Sequence, residues 1–131
     1  MDVRTHQTID PTLCGSPTQL APGRATVELT TTAAMGADAH GLVHGGFVFG
    51  LADHAAMLAI NEPTVVLGAA NLRFLAPVTV GQTCVATAEV TAHEGKKHIV
   101  SVSVVVAETE VLSGELTCFV PSRHVLEGAK R

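Results

Sequence analysis

The chain has 131 residues, 47% of them hydrophobic and only 15% charged, with a formal net charge of −4. That length is one domain's worth of sequence, and the composition excludes a disordered chain, which needs low hydrophobicity and strong charge. With no basic stripe, no Trp, no Tyr and only four Phe, it has neither the electrostatic footprint nor the stacking aromatics of a nucleic-acid binder.

The opening residues, MDVRTHQTID, lack an apolar h-region and do not read as a secretory signal. Residues 1–22 hold Pro11, Pro17 and Pro22 and read as a leader segment with a short strand at its end, closed by the Pro22-Gly23 turn signal. Ala25 to Thr32 alternates, with Val27 and Leu29 apolar, and predicts a β-strand. Met35 to Gly46 reads as a glycine-rich loop. Phe47 to Ile60 is apolar nearly all round, the mark of a buried helix, and stops at Asn61-Glu62-Pro63. With Asp53 and His54 inside it, this stretch is too short and too polar to span a membrane.

Beyond the helix the pattern turns to β. Val65 to Leu75 predicts one strand, closed by Ala76-Pro77. Gln82 to His93 predicts a second, with Cys84, Ala86, Ala88 and Val90 on one face. Glu94-Gly95-Lys96 reads as a hairpin turn. Lys97 to Ala107 follows with Val100, Val102, Val104 and Val106 in register. A turn at Glu108-Thr109-Glu110 leads to a last strand, Val111 to Val120, and residues 122–131 form a polar tail. The order predicts an α+β domain over residues 23–121, an antiparallel sheet wrapped around one helix. An open sheet edge and a charge-poor surface invite a second copy of the chain. Cys14, Cys84 and Cys118 are odd in number and form no CxxC pair, which reads as reduced, buried thiols in a cytoplasmic protein.

Asp53 is the outlier. A carboxylate in an apolar helix must reach a partner, face a cleft or lose solvation at high cost. Structural and catalytic roles both fit, because shifted carboxylates occur in ion-pair networks as well as at active sites. Ahead of the helix, His44-Gly45-Gly46 brings close-approach glycines to a helix N-terminus. The unpaired N–H groups there can meet a carbonyl oxygen or an anion. His40 and His44 are four apart, but the intervening glycines argue against a helix and no third ligand follows, so no metal site is expected. His6, His54, His93, His98 and His124 are expected at solvated or hairpin positions. No nucleophile elbow and no phosphate-binding loop is present.

The string His44-Gly45-Gly46-Phe47-Val48-Phe49-Gly50-Leu51-Ala52-Asp53 resembles the signature of the hotdog-fold acyl-CoA thioesterases of the phenylacetate-pathway (PaaI-like) type. The later string Asn71-Leu72-Arg73-Phe74-Leu75-Ala76-Pro77-Val78, followed by Val80-Gly81-Gln82, is similar to that family's next strand. The resemblance implies a hotdog fold, a homodimer or homotetramer with sites at the subunit interface, and an acyl-CoA substrate with no separate cofactor. It makes Asp53 the catalytic carboxylate, as nucleophile or as general base on water. It assigns a backbone donor to Gly45, with Gly46 beside it, and a positioning role to His44. It further implies that the carboxylate faces a helix N-terminus from the other subunit.

Two departures bear on the site. Many members carry Asn where this chain has Asp38, with His40 close by. Many also carry a hydroxyl in the strand after the helix, where this chain has Val66-Leu67-Gly68-Ala69. Asp38, His40, Phe47, Asn71, Arg73, Lys96 and Lys97 are the expected substrate contacts, and Arg123 is a further candidate for the CoA phosphates. Met35, Phe47, Met57 and Phe74 are the large side chains expected to set the depth of the acyl space. The competing readings are a hotdog hydratase or dehydratase, a non-catalytic acyl-CoA-binding module and a structural dimerisation domain.

Overall fold

A two-residue hydrophobic period and one uninterrupted apolar stretch dictate the architecture. The computed structural model describes residues 1–129, which run in chain order α1 (Pro11–Cys14), β1 (Ser16–Ala21), β2 (Arg24–Thr30), a 3-10 turn (Ala33–Met35), α2 (Gly45–Ile60), β3 (Val66–Phe74), β4 (Thr83–Glu94), β5 (Lys97–Val106), β6 (Thr109–Phe119) and α3 (Val125–Ala129). Among the described residues the strands form one antiparallel sheet of six, in the order β1-β2-β4-β5-β6-β3. The sheet curls around α2. This is the hotdog fold, and it matches the α+β expectation.

The periodicity explains the burial. Ala25, Val27 and Leu29 of β2, Cys84, Ala86 and Ala88 of β4, and Val100, Val102 and Val104 of β5 all turn inward. Pairing lines them up in rows: Val27 lies opposite Ala86, Ala86 opposite Val104, Val104 opposite Leu112, and Leu112 opposite Phe74. Small residues set the distance between the layers. Ala52, Ala55, Ala56 and Ala59 of α2 are buried over a sheet whose central strand presents Ala86 and Ala88, so the helix can sit close above β2 and β4. None of the described helices is long and apolar enough to cross a membrane.

Residues 1–22 are tied to this core. The Asp10 side chain accepts the Thr12 N–H at 2.9 Å and caps α1. The His54 ring on α2 donates through Nδ1 to the Cys14 carbonyl at 3.0 Å. Asn61, in the left-handed conformation that ends α2, accepts the Arg4 N–H and donates to the Asp2 carbonyl, each at 2.8 Å. Gly15 links α1 to β1 at φ 90°, and a Cβ there would lie 2.7 Å from the Glu28 carbonyl oxygen and 2.8 Å from Leu51. The polar tail 122–131 contains the short α3, and its last two residues lie outside the described ones.

Three expectations need correction. The helix starts at Gly45, not Phe47, because His44 caps it two residues earlier. The turn between β5 and β6 is at Ala107-Glu108, with Ala107 at φ 52°, so Thr109 and Glu110 already belong to the strand. His54 and His98 are not solvated: they are 4% and 9% exposed. The N-terminal segment covers His54. His98 points inward on β5 and stacks on His93, ring centroids 3.9 Å apart. Cys84 and Cys118 are buried and Cys14 is half-buried; all are free thiols.

Burial and the neighbouring His93 hold the His98 imidazole below its ordinary 6.5, and burial together with His54 does the same to His6. The neutral rings therefore contribute stability that is fully present above pH 6.5 and is lost as pH falls through the lowered folded values. The urea midpoint should drop between about pH 7 and about pH 5. His98→Phe, which keeps a ring over His93 and removes one titrating group, should flatten that drop; an unchanged slope would contradict the assignment.

Candidate active site

Backbone bonds deliver His44 to the start of α2. The His44 N–H donates to the Met35 carbonyl at 2.9 Å, and the Val43 N–H donates to the Val78 carbonyl at 2.8 Å. Upstream, one Asp38 carboxylate oxygen accepts the backbone N–H groups of His40 at 2.9 Å and Leu42 at 3.2 Å, which closes the turn around Gly41. Asp38 and His40 are exposed and shape this loop.

His44 is the N-cap. Its backbone is extended (φ −61°, ψ 129°), and its Nδ1 accepts the Gly46 N–H at 2.9 Å. An accepting Nδ1 on a neutral ring puts the ring proton on Nε2. The ring also meets Phe47 edge-on, with centroids 6.2 Å apart. A Cβ on Gly46 would fall 2.9 Å from His44 Nδ1, so glycine there keeps the cap seated. Of the two expected backbone donors, Gly46 is thus engaged by His44. The Gly45 N–H has no partner among the described residues.

Asp53 sits two turns further along α2. It shares a helix face with Gly46 and Gly50, at spacings of seven and three residues. Its Oδ1 is shielded from solvent and has no hydrogen-bond partner among the described residues. Burial pushes its carboxyl up to about 6. The same apolar surroundings, with Asp53's charge adding, push the Cys118 thiol up to about 12. A thiol held that high is protonated at neutral pH and is no nucleophile.

Gly45 and Asp53 are eight residues apart on one helix, about 12 Å of axial rise. One carbonyl group cannot span both. Beside Gly45 lies an apolar groove of about 360 Å³, lined by Val43, Val48 and Val111 and by the Phe74–Val78 segment. The Phe74 ring borders Gly45, with Cε1 3.4 Å from where a Cβ would be.

The other expected contacts lie elsewhere in this chain. Asn71 and Arg73 pair with Glu115 and Ser113 on the sheet face turned away from α2. Exposed Lys96 and Lys97 sit at the β4–β5 hairpin, where Lys97 pairs with Phe119 and Phe119 with Val66, a full strand length from Phe74. Exposed Arg123 follows β6. Met35 and Met57 are fully buried, and Phe47 is half-buried beside His44. The Leu75–Val78 wall of the groove was missed in the sequence, where Ala76-Pro77 signals only the end of a strand.

The family model "Thioesterase superfamily" matches residues 40–113. A curated relative, methylthioribose-1-phosphate isomerase of Aquifex aeolicus, is 49% identical over 88% of this chain and 25% of that protein. Transcription factor FapR of Caldanaerobacter subterraneus is 36% identical over 56% of this chain and 37% of its own length. The chain thus spans a quarter to just over a third of these two relatives. Among solved structures, an uncharacterized protein from Pyrococcus horikoshii is 52% identical with a TM-score of 0.95, over 96% of this chain and 97% of that one. The PaaI protein of the Escherichia coli phenylacetic acid degradation operon is 29% identical with a TM-score of 0.74, over 79% and 81%.

If the His44 ring holds the first turn of α2, His44→Ala should lower unfolding stability by about 0.5–2 kcal/mol, and His44→Asn, which keeps a capping acceptor, should recover most of it. Urea denaturation of the three proteins at one pH measures this. Equal loss in both variants would show that the cap is not what the ring contributes.

Proposed function

This chain belongs to the thioesterase superfamily, and from that premise we propose that it hydrolyses the thioester bond of an acyl-CoA, with Asp53 as general base and the Gly45 N–H as donor to the thioester carbonyl. One observation carries the reading: the Asp53 Oδ1 is shielded from solvent with no hydrogen-bond partner among the described residues, and burial raises the carboxyl to about 6. A structural aspartate would be paired. A base is most effective with a pKa near the working pH.

Asp53 takes a proton from water as the water oxygen attacks the thioester carbon. The carbonyl electron pair moves onto oxygen, where the Gly45 N–H and the positive end of α2 stabilise it. Collapse expels the CoA thiolate, which takes the proton back from Asp53. The products are a free acid and CoA.

Because a helix rise of about 12 Å separates Gly45 from Asp53 in one chain, the proposed site combines Gly45 of one copy with Asp53 of another. Gly46 and Gly50 leave the Asp53 face of α2 low, and a Cβ on Gly50 would meet nothing within 4 Å among the described residues, so a second helix N-terminus has room to approach. The unpaired edge of β3 is where the sheets of two copies would join. Among the described residues, Arg73, Lys96, Lys97 and Arg123 are exposed cations outside ion pairs, and these are the proposed partners of the CoA phosphates. The competing reading of a non-catalytic acyl-CoA-binding module predicts acyl-CoA binding without release of thiol.

Asp53→Asn should reduce kcat by at least about 100-fold in a thiol-release assay over several acyl-CoAs. Full activity in that variant would remove Asp53 from the mechanism. In the native protein the rate should fall as pH drops through about 6, where Asp53 becomes protonated. The stability effect has the opposite sign. A raised carboxyl contributes stability below its ordinary 3.8 and loses it as pH rises through about 6, so near neutral pH the charge is a net cost. Asp53→Asn should therefore gain about 1–3 kcal/mol near neutral pH and little near pH 4.

Gly45→Pro deletes the proposed donor at the first helical position, where proline is tolerated and where the extended His44 backbone suits a following proline. It should cost about 100- to 1000-fold in kcat without unfolding the protein, read by thiol release and circular dichroism.

A further inference from the structure

We propose that residues 1–15 are a strap that closes on α2 at neutral pH and lets go in mild acid, with the paired imidazoles of His6 and His54 as its latch. The device works with or without thioester hydrolysis. Few contacts hold the strap. Only Thr5 and Gly15 in it are buried, and the half-buried Val3 and Ile9 add little apolar anchorage. Its ties are polar: the Asn61 hydrogen bonds to Asp2 and Arg4, the exposed Arg4–Glu62 ion pair at 2.9 Å, and the His54 bond to the Cys14 carbonyl. An exposed ion pair holds weakly. Beneath the strap lies a cavity of about 250 Å³, lined by His6, Ile9, Pro11, Pro17, His54 and Leu58 among others. Few buried apolar contacts and incomplete packing mark a segment that opens ahead of the core.

His6 stands where the strap meets α2. Its backbone is left-handed (φ 55°), a conformation unfavourable for a residue with a Cβ, and the closed strap has to hold it. The ring stacks on His54 with centroids 6.2 Å apart and planes 26° apart, and its Nδ1 meets the Thr5 hydroxyl at 2.9 Å. A proton on either ring breaks no hydrogen bond. Nδ1 of His54 still donates to the Cys14 carbonyl, and Nδ1 of His6 can donate to Thr5. Charge opposes the proton instead. Burial, and then His54, hold the His6 imidazole below its ordinary 6.5. No carboxylate offsets this, because neither ring is in an ion pair among the described residues. On α2, Glu62 is engaged by Arg4, and Asp53 points about 100° around the helix from His54. At α1, the Asp10 carboxylate accepts from the Thr12 N–H and hydroxyl. Asp2 and Glu28 are exposed. The open strap returns His6 to water, so closure is favoured above pH 6.5 and loses that advantage as pH falls through the lowered value. Release uncovers the His54–Leu58 side of α2. It also wets the surroundings of Asp53, since burial, and then the Asp53 and Asp10 carboxylates, push up the Cys14 thiol at the strap's end.

Amide hydrogen exchange of the full chain tests this, followed from about pH 7.5 to about pH 5 and corrected for the intrinsic pH dependence of exchange. The Arg4 and Gly15 N–H groups, bonded to Asn61 and to the Pro11 carbonyl, report the strap, and β4 reports the core. Strap protection should fall at least about 3-fold across that range while β4 keeps most of its own. His6→Asn tolerates the left-handed backbone and does not titrate, so its strap should stay closed and lose the pH dependence. His54→Gln removes the partner ring and should flatten the dependence as well. Asn61→Gly keeps the left-handed end of α2 but deletes both side-chain bonds, and should loosen the strap at every pH. Strap protection that ignores pH, or that falls in step with β4, would overturn the proposal. So would a full pH dependence retained in both histidine variants, or an undisturbed strap in Asn61→Gly. Should His6→Asn open the strap at every pH through lost packing, the slope in His54→Gln decides.

Discussion

A carboxylate whose Oδ1 is held in an apolar helix with no hydrogen-bond partner among the described residues is the constraint around which the proposed site is built. Asp53 would be cheapest to bury protonated or paired, and α2 supplies no partner for its Oδ1. The fold bears that penalty because the rest of the helix is so well packed. Four buried alanines bring α2 down onto a sheet of small and β-branched residues, and the N-terminal segment adds hydrogen bonds from His54 and Asn61. Strain at a functional position, offset by packing elsewhere, is the expected signature of a site. On the proposed reading, that desolvation is useful, since it raises Asp53 into the range where a base works near neutral pH.

The helix also sets the second half of the chemistry. Its first turn carries an N–H that no group among the described residues accepts, kept in place by the His44 cap on the neighbouring Gly46. Because the same helix carries both the donor and the carboxylate, its rise of about 1.5 Å per residue keeps them apart. On this account a second copy brings the missing half of each site, and the unpaired β3 edge and the low glycine face of α2 are the surfaces suited to receive it.

Much of this was legible in the residues. Two-residue alternation located the strands to within a residue or two, and the apolar run located the helix, because each pattern reports directly on which face is buried. Asp53 stood out for the same reason. The start of the helix was harder to read, since Gly45 and Gly46 look like loop residues until a histidine ring is seen to cap them. His54 was misjudged because its cover comes from chain distant in sequence, the Cys14 region, and His98 because the pleat turns it inward on β5 beside the hairpin. The groove was illegible because it depends on where Leu75–Val78 rests against the start of α2, which no local pattern encodes. Asn71 and Arg73 illustrate the converse. Their place in a family-like string is clear, but the pleat sends them to the outer face of the sheet.

The central claim, that donor and base come from different copies of the chain, is open to a complementation measurement. Asp53→Asn and Gly45→Pro proteins are each purified, mixed in equal amounts, dissociated, reassembled and assayed for thiol release. If the site is shared between copies, each mixed dimer holds one intact site. Statistical reassembly should then restore about a quarter of native activity from two nearly inactive proteins. If both groups served a single chain, every site in the mixture would carry a defect, and activity no higher than that of the separate variants would contradict the account.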